Sequence, residues 1–357
     1  MRLGLLAGTM ATILALGCTG GPKEPEKSAA PAAPRGEAFT SGEYTTTLPL
    51  GLQADAAYIP EGNPLSARKI ELGRRLYFDS RLSRDGKISC ATCHDPGKGF
   101  SDGQPTSTGI KGQRGGRNAP TVMNRLFSKE QFWDGRADDL EAQALGPIQN
   151  PIEMGHTLQG MISNLGAVSS YGPEFREAFG SPGITPERVA QAIAGYERTV
   201  LTGNAPYDRY QAGDTTAMSE AAMRGLRIFN DPKRGNCVTC HAGFNFTDES
   251  YHNLGVGMDK PTPDLGRFQV TQFEADRGAF KTPTLRNVTD SPPYMHDGSA
   301  KTLVDVANLY DRGGKPNKWL SKEIRPLHLS DQEKADLLAF FEALTGEVRG
   351  RERPPLP

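Results

Sequence analysis

Two copies of the pattern Cys-x-x-Cys-His constrain this sequence more than any other feature. CATCH spans residues 90–94 and CVTCH spans residues 237–241. Two thiols at this spacing can add to the two vinyl groups of a haem, while the histidine that follows binds the iron as its proximal ligand. A zinc site or a redox disulfide would need partners at other spacings. The motifs therefore predict two covalently attached c-type haems. The predicted attachment and iron-binding residues are Cys90, Cys93 and His94 in the first motif and Cys237, Cys240 and His241 in the second.

The first residues predict an export signal followed by a polar tether. Residues 1–18 contain one basic residue, an apolar run too short to span a bilayer and a small residue before Cys18. The end of this segment is similar to a bacterial lipobox and predicts a lipid-modified Cys18; a plain secreted protein with an odd thiol is the alternative. Residues 19–44 are rich in Pro, Ala, Lys and Glu and are predicted to be a flexible linker. We expect a periplasmic protein that is attached to a membrane only by its lipid.

Composition excludes several other classes of protein. The 357 residues are 36% hydrophobic and carry a formal charge of -1, which suits about two globular domains. No block of basic residues is present, so a nucleic-acid partner is not expected. The 41 glycines and 27 prolines favour loops around short helices over long strands.

The surroundings of the two motifs indicate an internal duplication. A helical pattern of apolar residues precedes each motif, and a capped helix closes each half. We predict a mainly α protein of two cytochrome c-like domains with few short strands. The predicted domains span residues 45–203 and 204–350, and residues 351–357 form a tail.

The two closing helices carry recognisable start and stop signals. The first should begin after Thr185 as N-cap, with proline at its first position, and the second after a capping box of Ser330 and Glu333. Both segments end in Thr-Gly, so Gly203 and Gly346 are predicted C-caps.

Further motifs connect the sequence to a known family. LSRDGKISCATCH, RNAPTVMN, FWDGRADDLEAQALGPIQNPIEMG, FKTPTLRNV and PPYMHDG follow one another along the chain. With these motifs the sequence resembles the bacterial di-haem cytochrome c peroxidase family, which includes MauG, over approximately residues 60–347. The resemblance implies that the N-terminal haem is the site of reaction with hydrogen peroxide and that the C-terminal haem stores or relays an electron.

The resemblance also implies roles for particular residues. Glu153 would be the distal carboxylate that carries a proton between the peroxide oxygens, with Gln143 as its polar companion. Trp133 would lie between the two haems and couple them. His156 is either an accessory base or, as we favour, a hydrogen-bonded loop residue.

A calcium ion is the remaining cofactor that the family implies. Its predicted protein ligands are the side chain of Asn118 and the backbone carbonyls of Ser291 and Pro293, completed by waters. Ligands that are all oxygen suit a hard cation.

The sequence departs from the peroxidase pattern after the first motif. Many members have a histidine there that blocks the peroxide-binding iron, but residues 106–120 contain none, and Ile110 takes the corresponding place. We therefore expect a five-coordinate N-terminal haem in the oxidised protein.

The second departure concerns the sixth ligand of the C-terminal haem, which is a methionine in ordinary members. Register from Pro293 puts Tyr310 at that position, as in MauG. Met295 and Met258 are the alternatives, and three histidines could also coordinate; these are His252, His296 and His328. An anionic oxygen ligand favours ferric iron, whereas a thioether raises the reduction potential.

Three functions remain open from the sequence. The protein would reduce hydrogen peroxide with electrons from a small cytochrome c or cupredoxin, or it would oxidise a protein or organic substrate as MauG does. A non-catalytic di-haem electron carrier is the third alternative. A homodimer is compatible with the resemblance, because many relatives are dimers.

Overall fold

Helices dominate the architecture, and the strands are short. The computed structural model describes residue 1 and residues 36–357, so Cys18 and most of the predicted linker lie outside the described residues. The helices are α1 (Ala67–Phe78), α2 (Cys90–Cys93), α3 (Leu140–Gln149), α4 (Leu158–Gly166), α5 (Tyr171–Phe179), α6 (Pro186–Glu197), α7 (Pro206–Gln211), α8 (Glu220–Asn230), α9 (Phe268–Thr271), α10 (Leu303–Asp311) and α11 (Asp331–Glu342). The strands are β1 (Ala38–Ser41), β2 (Tyr44–Thr47), β3 (Thr202–Gly203), β4 (Tyr251–His252), β5 (Phe280–Lys281) and β6 (Glu347–Val348). No helix within the described ranges is long and apolar enough to cross a membrane.

The same helix pair occurs in both halves of the chain. In the N-terminal half α1 packs on α6, and in the C-terminal half α8 packs on α11. Each pair crosses at a glycine: a Cβ on Gly73 would lie 1.7 Å from the carbonyl oxygen of Ala192, and a Cβ on Gly225 would lie 2.0 Å from that of Asp336. Only glycine allows two helix backbones to approach this closely. The two halves therefore share the way in which their paired helices pack, as well as their sequence motifs.

Each half also has its own buried core. The N-terminal core is built mainly from α1, α4, α5 and α6, and the C-terminal core from α8, α11 and the residues before them. A third cluster joins Phe39 and Leu48 of the N-terminal hairpin to Leu126 and Leu201. The chain from residue 36 onward belongs to one compact unit, and the domain boundary at residue 203 stays a prediction.

The predicted helix starts are confirmed, and the predicted helix ends are wrong. The Thr185 side chain caps α6, and Ser330 and Glu333 form the capping box of α11. The helices end at residues 197 and 342, several residues before Gly203 and Gly346. The two Thr-Gly segments instead meet each other, because β3 pairs antiparallel with β6. A Cβ on Gly346 would lie 2.1 Å from the Gly203 carbonyl oxygen, so close backbone approach explains this glycine.

The predicted linker at 19–44 extends too far. β1 lies inside it and pairs antiparallel with β2, from Ala38 opposite Thr47 to Ser41 opposite Tyr44. Phe39 is 7% exposed and packs on the core, and it lies after the part of the segment that lacks large apolar residues. The hairpin contains Phe39, Tyr44 and several threonines, which are residue types that favour strands.

Candidate haem sites

The first CxxCH motif forms one turn of helix. α2 places Cys90 and Cys93 three residues apart, which brings both side chains to one face of the turn. The N–H of His94 donates to the Cys90 carbonyl at 2.9 Å and closes the turn. In the second motif, Cys237 accepts the equivalent bond from His241 at 2.9 Å. None of these four cysteines forms a disulfide, so all four remain available for attachment to a cofactor.

A backbone carbonyl fixes the tautomer of each motif histidine. Nδ1 of His94 lies 3.0 Å from the Pro120 oxygen and 3.2 Å from the Phe100 oxygen. Nδ1 of His241 lies 3.1 Å from the Phe246 oxygen. Because carbonyls only accept hydrogen bonds, Nδ1 carries the proton and Nε2 is left with a lone pair for a metal.

Phe100 and Phe246 are functional residues that the sequence reasoning missed. Both are buried, and both adopt left-handed backbone conformations, with φ values of 57° and 52°. Such values are uncommon for a bulky residue and cost energy. Their carbonyls accept from the two motif histidines. The repeated Gly-Phe and Asn-Phe pairs shortly after each motif are the signal that could have identified them.

The N-terminal cavity brings together the residues predicted for peroxide chemistry. His94, Gln143 and Glu153 all line it. Oε1 of Glu153 accepts from Nδ2 of Asn150 at 2.7 Å. Burial raises the pKa of Glu153, and the nearby Arg136 guanidinium opposes that shift. The cavity therefore holds a carboxyl group with increased affinity for a proton.

Two other predicted residues of this half lie outside the cavity lining. Ile110 is 3% exposed, and its N–H donates to the Glu153 carbonyl at 2.8 Å. Nδ1 of His156 accepts from the Thr157 N–H at 2.9 Å, and its Nε2 lies 3.0 Å from Nδ2 of Asn164, which agrees with the favoured interpretation as a hydrogen-bonded loop residue. Among the residues that the structure describes, His94 is the single histidine of this lining.

Trp133 lies in the wall between the two cavities and lines both of them. Its indole Nε1–H donates to the Asn118 carbonyl at 2.9 Å. Its own carbonyl accepts from the N–H of Lys281 at 2.8 Å. The bond to Asn118 therefore holds the indole, and the bond from Lys281 ties the Trp133 backbone to the C-terminal half of the sequence.

The C-terminal cavity has a more apolar wall. Cys237, Cys240, His241 and Tyr310 line it together with aliphatic side chains. α10 carries Tyr310, and burial raises the pKa of its phenol. Met295 lines the same cavity, so both Met295 and Tyr310 are placed as candidates for the sixth ligand.

The remaining ligand candidates of this half have other contacts. Met258 is outside the cavity lining and lies against Gly278. His252 lines the cavity and bonds to Asp248 at 2.8 Å, and His296 stacks on Phe280 with ring centroids 3.5 Å apart. His328 is not part of the lining.

The three predicted calcium ligands lie along the C-terminal cavity. Asn118, Ser291 and Pro293 all belong to its lining. Nδ2 of Asn118 donates to the Gln104 carbonyl at 2.8 Å, so Oδ1 is the atom that could bind a cation. Another cluster, formed by Cys240, Asp248 and His252, has potential ligand atoms within 4.8 Å of one another, but its thiol belongs to the haem motif.

Comparison with known proteins identifies the family. Residues 67–216 match the sequence profile described as Di-haem cytochrome c peroxidase. The methylamine utilization protein MauG of Methylophilus methylotrophus is 41% identical over 308 residues, which covers 85% of this chain and 90% of the relative. The cytochrome c551 peroxidase of Pseudomonas aeruginosa is 38% identical over 320 residues, covering 85% and 89%. The chain belongs to the di-haem cytochrome c peroxidase family.

Solved structures agree with this membership and confirm the predicted fold class. A MauG-like protein associated with microbial copper homeostasis superposes with a TM-score of 0.77 at 32% identity, covering 84% of this chain and 96% of the other. The diheme peroxidase BthA from Burkholderia thailandensis shares the fold, with a TM-score of 0.69 at 23% identity and coverage of 93% and 100%. Membership of a di-haem family implies two c-type haems. The free cysteine pairs, the oriented histidines and the two cavities fit them.

Proposed function

We propose that this protein is a di-haem oxidoreductase that reacts with hydrogen peroxide in the N-terminal cavity and exchanges electrons through the C-terminal cavity. One observation carries the proposal: His94, Gln143 and Glu153 line the same cavity, and Trp133 lines both that cavity and its neighbour. When bound, each haem would supply an iron that accepts and releases electrons, and the N-terminal iron would bind peroxide.

The chain supplies the proton chemistry. Reduction of hydrogen peroxide to two waters consumes two protons and two electrons. The Glu153 carboxylate accepts the proton of the inner peroxide oxygen and returns it to the outer oxygen, which leaves as water. The amide of Gln143 orients the peroxide by hydrogen bonding. Burial raises the pKa of Glu153 and so favours proton retention between the two transfers.

Peroxide needs an open position on the N-terminal iron. Residues 106–120 provide no histidine, and the described lining of this cavity contains no imidazole besides that of His94. These observations support a five-coordinate N-terminal haem that reacts without prior reduction of its neighbour.

Trp133 would couple the two halves. An aromatic ring in the wall shared by both cavities shortens the path for an electron, and the bond from its Nε1–H to the Asn118 carbonyl keeps the ring in place. We therefore assign Trp133 the relay role that its motif position predicts.

We propose Tyr310 as the sixth ligand of the C-terminal haem. The side chain is in the cavity of His241, at the position where ordinary family members carry methionine. An oxygen ligand stabilises ferric iron, and it makes this site a poor acceptor from a cytochrome donor but a good store of oxidising equivalents. Met295 is the alternative ligand from the same wall.

Tyr310 favours a second candidate function, the oxidation of a protein or organic substrate. The 41% identity to MauG points in the same direction. In this version, hydrogen peroxide is the oxidant and a second protein or an organic molecule replaces the small redox donor. A non-catalytic electron carrier has less support, because it has no use for the acidic and amide side chains around His94.

Further assignments complete the proposal. We infer one calcium ion bound by Oδ1 of Asn118 and the carbonyls of Ser291 and Pro293. We also infer a periplasmic location with a lipid anchor on Cys18 and, for peroxide reduction, a small cytochrome c or cupredoxin as electron donor. A homodimer is compatible with this function.

A turnover assay separates the three functions. Reduced cytochrome c and hydrogen peroxide are added to the holoprotein, and donor oxidation is followed by absorbance. Fast oxidation supports peroxide reduction, whereas slow turnover with a long-lived oxidised spectrum supports substrate oxidation. Absence of any spectral change on adding peroxide would contradict both and support a carrier.

A further inference from the structure

Two buried side-chain atoms in the wall of the N-terminal cavity have no hydrogen-bond partner within the described part of the chain. They are Nε of Arg125 and Oε2 of Glu197. Both residues line that cavity; Arg125 also lines the C-terminal cavity, whereas Glu197 does not, so Glu197 assigns the pair to the N-terminal side. An unpaired buried polar atom destabilises the folded state, because it has lost its hydrogen bonds to water. Their presence in one wall indicates a polar ligand that the protein chain itself does not supply.

Comparison with the other half shows that the helix does not require a buried acid here. Glu197 and Glu342 are the last residues of α6 and α11, two helices of equal length that each follow a hydroxyl N-cap. Glu342 is exposed, whereas Glu197 is only 4% exposed. The last residue of the closing helix is therefore exposed to solvent in the C-terminal half and buried in a cavity wall in the N-terminal half.

The charge state of Glu197 makes it a hydrogen-bond donor. Burial raises its pKa to about 8, so the carboxyl is mainly protonated at neutral pH. The adjacent Arg198 does not pair with it, because that guanidinium binds the Glu141 carboxylate at 2.6 and 2.8 Å.

Arg125 offers a second donor in the same wall. Its Nη2 pairs with Glu249 at 3.2 Å, while Nε has no partner. The other cations of this lining are already engaged: Arg117 with Asp134 and Asp264, Arg136 with Asp134, and Lys281 with Ser128 and Glu249. A guanidinium is always charged and binds carboxylates well.

We propose that Arg125 and Glu197 form a carboxylate-binding site whose ligand is a propionate of the N-terminal haem. A haem brings two carboxylates into its cavity, and a buried carboxylate needs donors. Nε of Arg125 and the protonated carboxyl of Glu197 are two hydrogen-bond donors without a partner in the described part of the chain. The inference rests on haem binding, which family membership implies, and not on the proposed reaction with peroxide.

The reduction equilibrium of the two haems tests the proposal in the holoprotein. Arg125→Gln removes the positive charge that offsets the propionate, so the ratio of reduced to oxidised N-terminal haem at a fixed potential should fall by about tenfold. Arg125→Lys should retain most of the wild-type ratio. Glu197→Leu should change the ratio in the same direction by less, and Glu197→Gln, which keeps a donor, should change it least.

Glu342→Gln is the matched control, and it should leave the reduction equilibrium of both haems unchanged. If Arg125→Gln and Glu197→Leu also leave the equilibrium unchanged at full haem content, water satisfies the two groups and the proposal is wrong.

A second measurement does not depend on the folding of the Arg125 variants. The infrared difference spectrum between reduced and oxidised holoprotein should contain a protonated-carboxyl band that Glu197→Gln removes and Glu342→Gln retains. Absence of that band from the wild-type spectrum would contradict the proposal, because Glu197 would then not respond to the charge of the haem.

Discussion

The two halves of this protein share a scaffold and differ in the walls of their cavities. Each half crosses two helices at a glycine, presents two cysteines before a histidine, and holds that histidine through a phenylalanine carbonyl. The N-terminal wall adds Glu153 and Gln143, whereas the C-terminal wall adds Tyr310 among aliphatic side chains. The shared scaffold thus orients each motif histidine to bind iron. The cavity wall determines which other side chains would surround that iron.

The difference arises in the segments that follow each attachment motif. In the N-terminal half, residues 131–153 fold over the cavity and bring in an acid and an amide. In the C-terminal half, the corresponding wall comes from residues 278–310 and includes α10. Duplication with divergent walls would explain how one fold holds both the proposed peroxide site and the proposed electron-storage site.

Replacement of the N-terminal acid should produce the largest effect. Glu153→Gln removes the proton carrier but keeps a side chain of similar size, so the rate of reaction with hydrogen peroxide should fall by about 10²- to 10⁴-fold. Stopped-flow absorbance of the oxidised holoprotein measures this rate. His156→Gln is the control, since His156 is outside the cavity lining and should leave the rate unchanged. A wild-type rate in Glu153→Gln would show that the two walls do not differ in the proposed way.

Coupling between the halves should depend on one of the two tryptophans. Trp133→Phe removes the indole from the shared wall, so oxidation of the C-terminal haem after peroxide addition should slow. Trp319→Phe is the matched control, because Trp319 is outside both linings. Rapid-mixing absorbance spectroscopy measures the rate of this oxidation. Equal slowing in Trp133→Phe and Trp319→Phe would argue against a relay at Trp133.

The shared scaffold predicts equal effects at the two helix crossings. Gly73→Ala and Gly225→Ala each place a Cβ against a backbone oxygen, which should lower the free energy of unfolding by about 2 kcal/mol. Urea unfolding of the holoprotein, followed by circular dichroism, measures the loss. Gly166→Ala in α4 meets no atom within 4 Å and should not destabilise the protein. A large effect at only one crossing would contradict the structural duplication.

Much of the site could be predicted from the sequence, because its residues belong to local motifs. The CxxCH motifs and the N-caps need only neighbours in the chain. The N-cap predictions are confirmed, and haem attachment at the four cysteines stays a prediction. The ends of α6 and α11 were not, since the pairing of Gly203 with Glu347 joins distant segments. The unpaired atoms of Arg125 and Glu197 also have no local signal, because they depend on how distant segments form one wall.

The smallest expected difference between the halves is a pH effect on the closing helices. Hydrogen bonds from Arg234 and the Ser330 backbone lower the pKa of Glu333 to about 2, while the corresponding position of α6 holds Arg188. Ionised Glu333 therefore stabilises the fold above its ordinary pKa of 4.5, and this contribution is lost as the pH falls towards 2.

Glu333→Gln should lower the free energy of unfolding by about 0.5 kcal/mol at neutral pH. This effect should disappear as the pH falls towards 2. Arg188→Gln should show no such dependence over this range. Urea unfolding at several pH values checks both, and a pH-independent cost of Glu333→Gln would rule out the ionic contribution.

The electron paramagnetic resonance spectrum of the oxidised holoprotein, compared with that of Tyr310→Met, distinguishes the coordination of the two irons. We expect one high-spin ferric haem and one low-spin haem in the wild type, with Tyr310→Met changing only the low-spin signal. Two low-spin haems in the wild type would contradict an open N-terminal iron, and an unchanged spectrum in Tyr310→Met would contradict ligation by Tyr310.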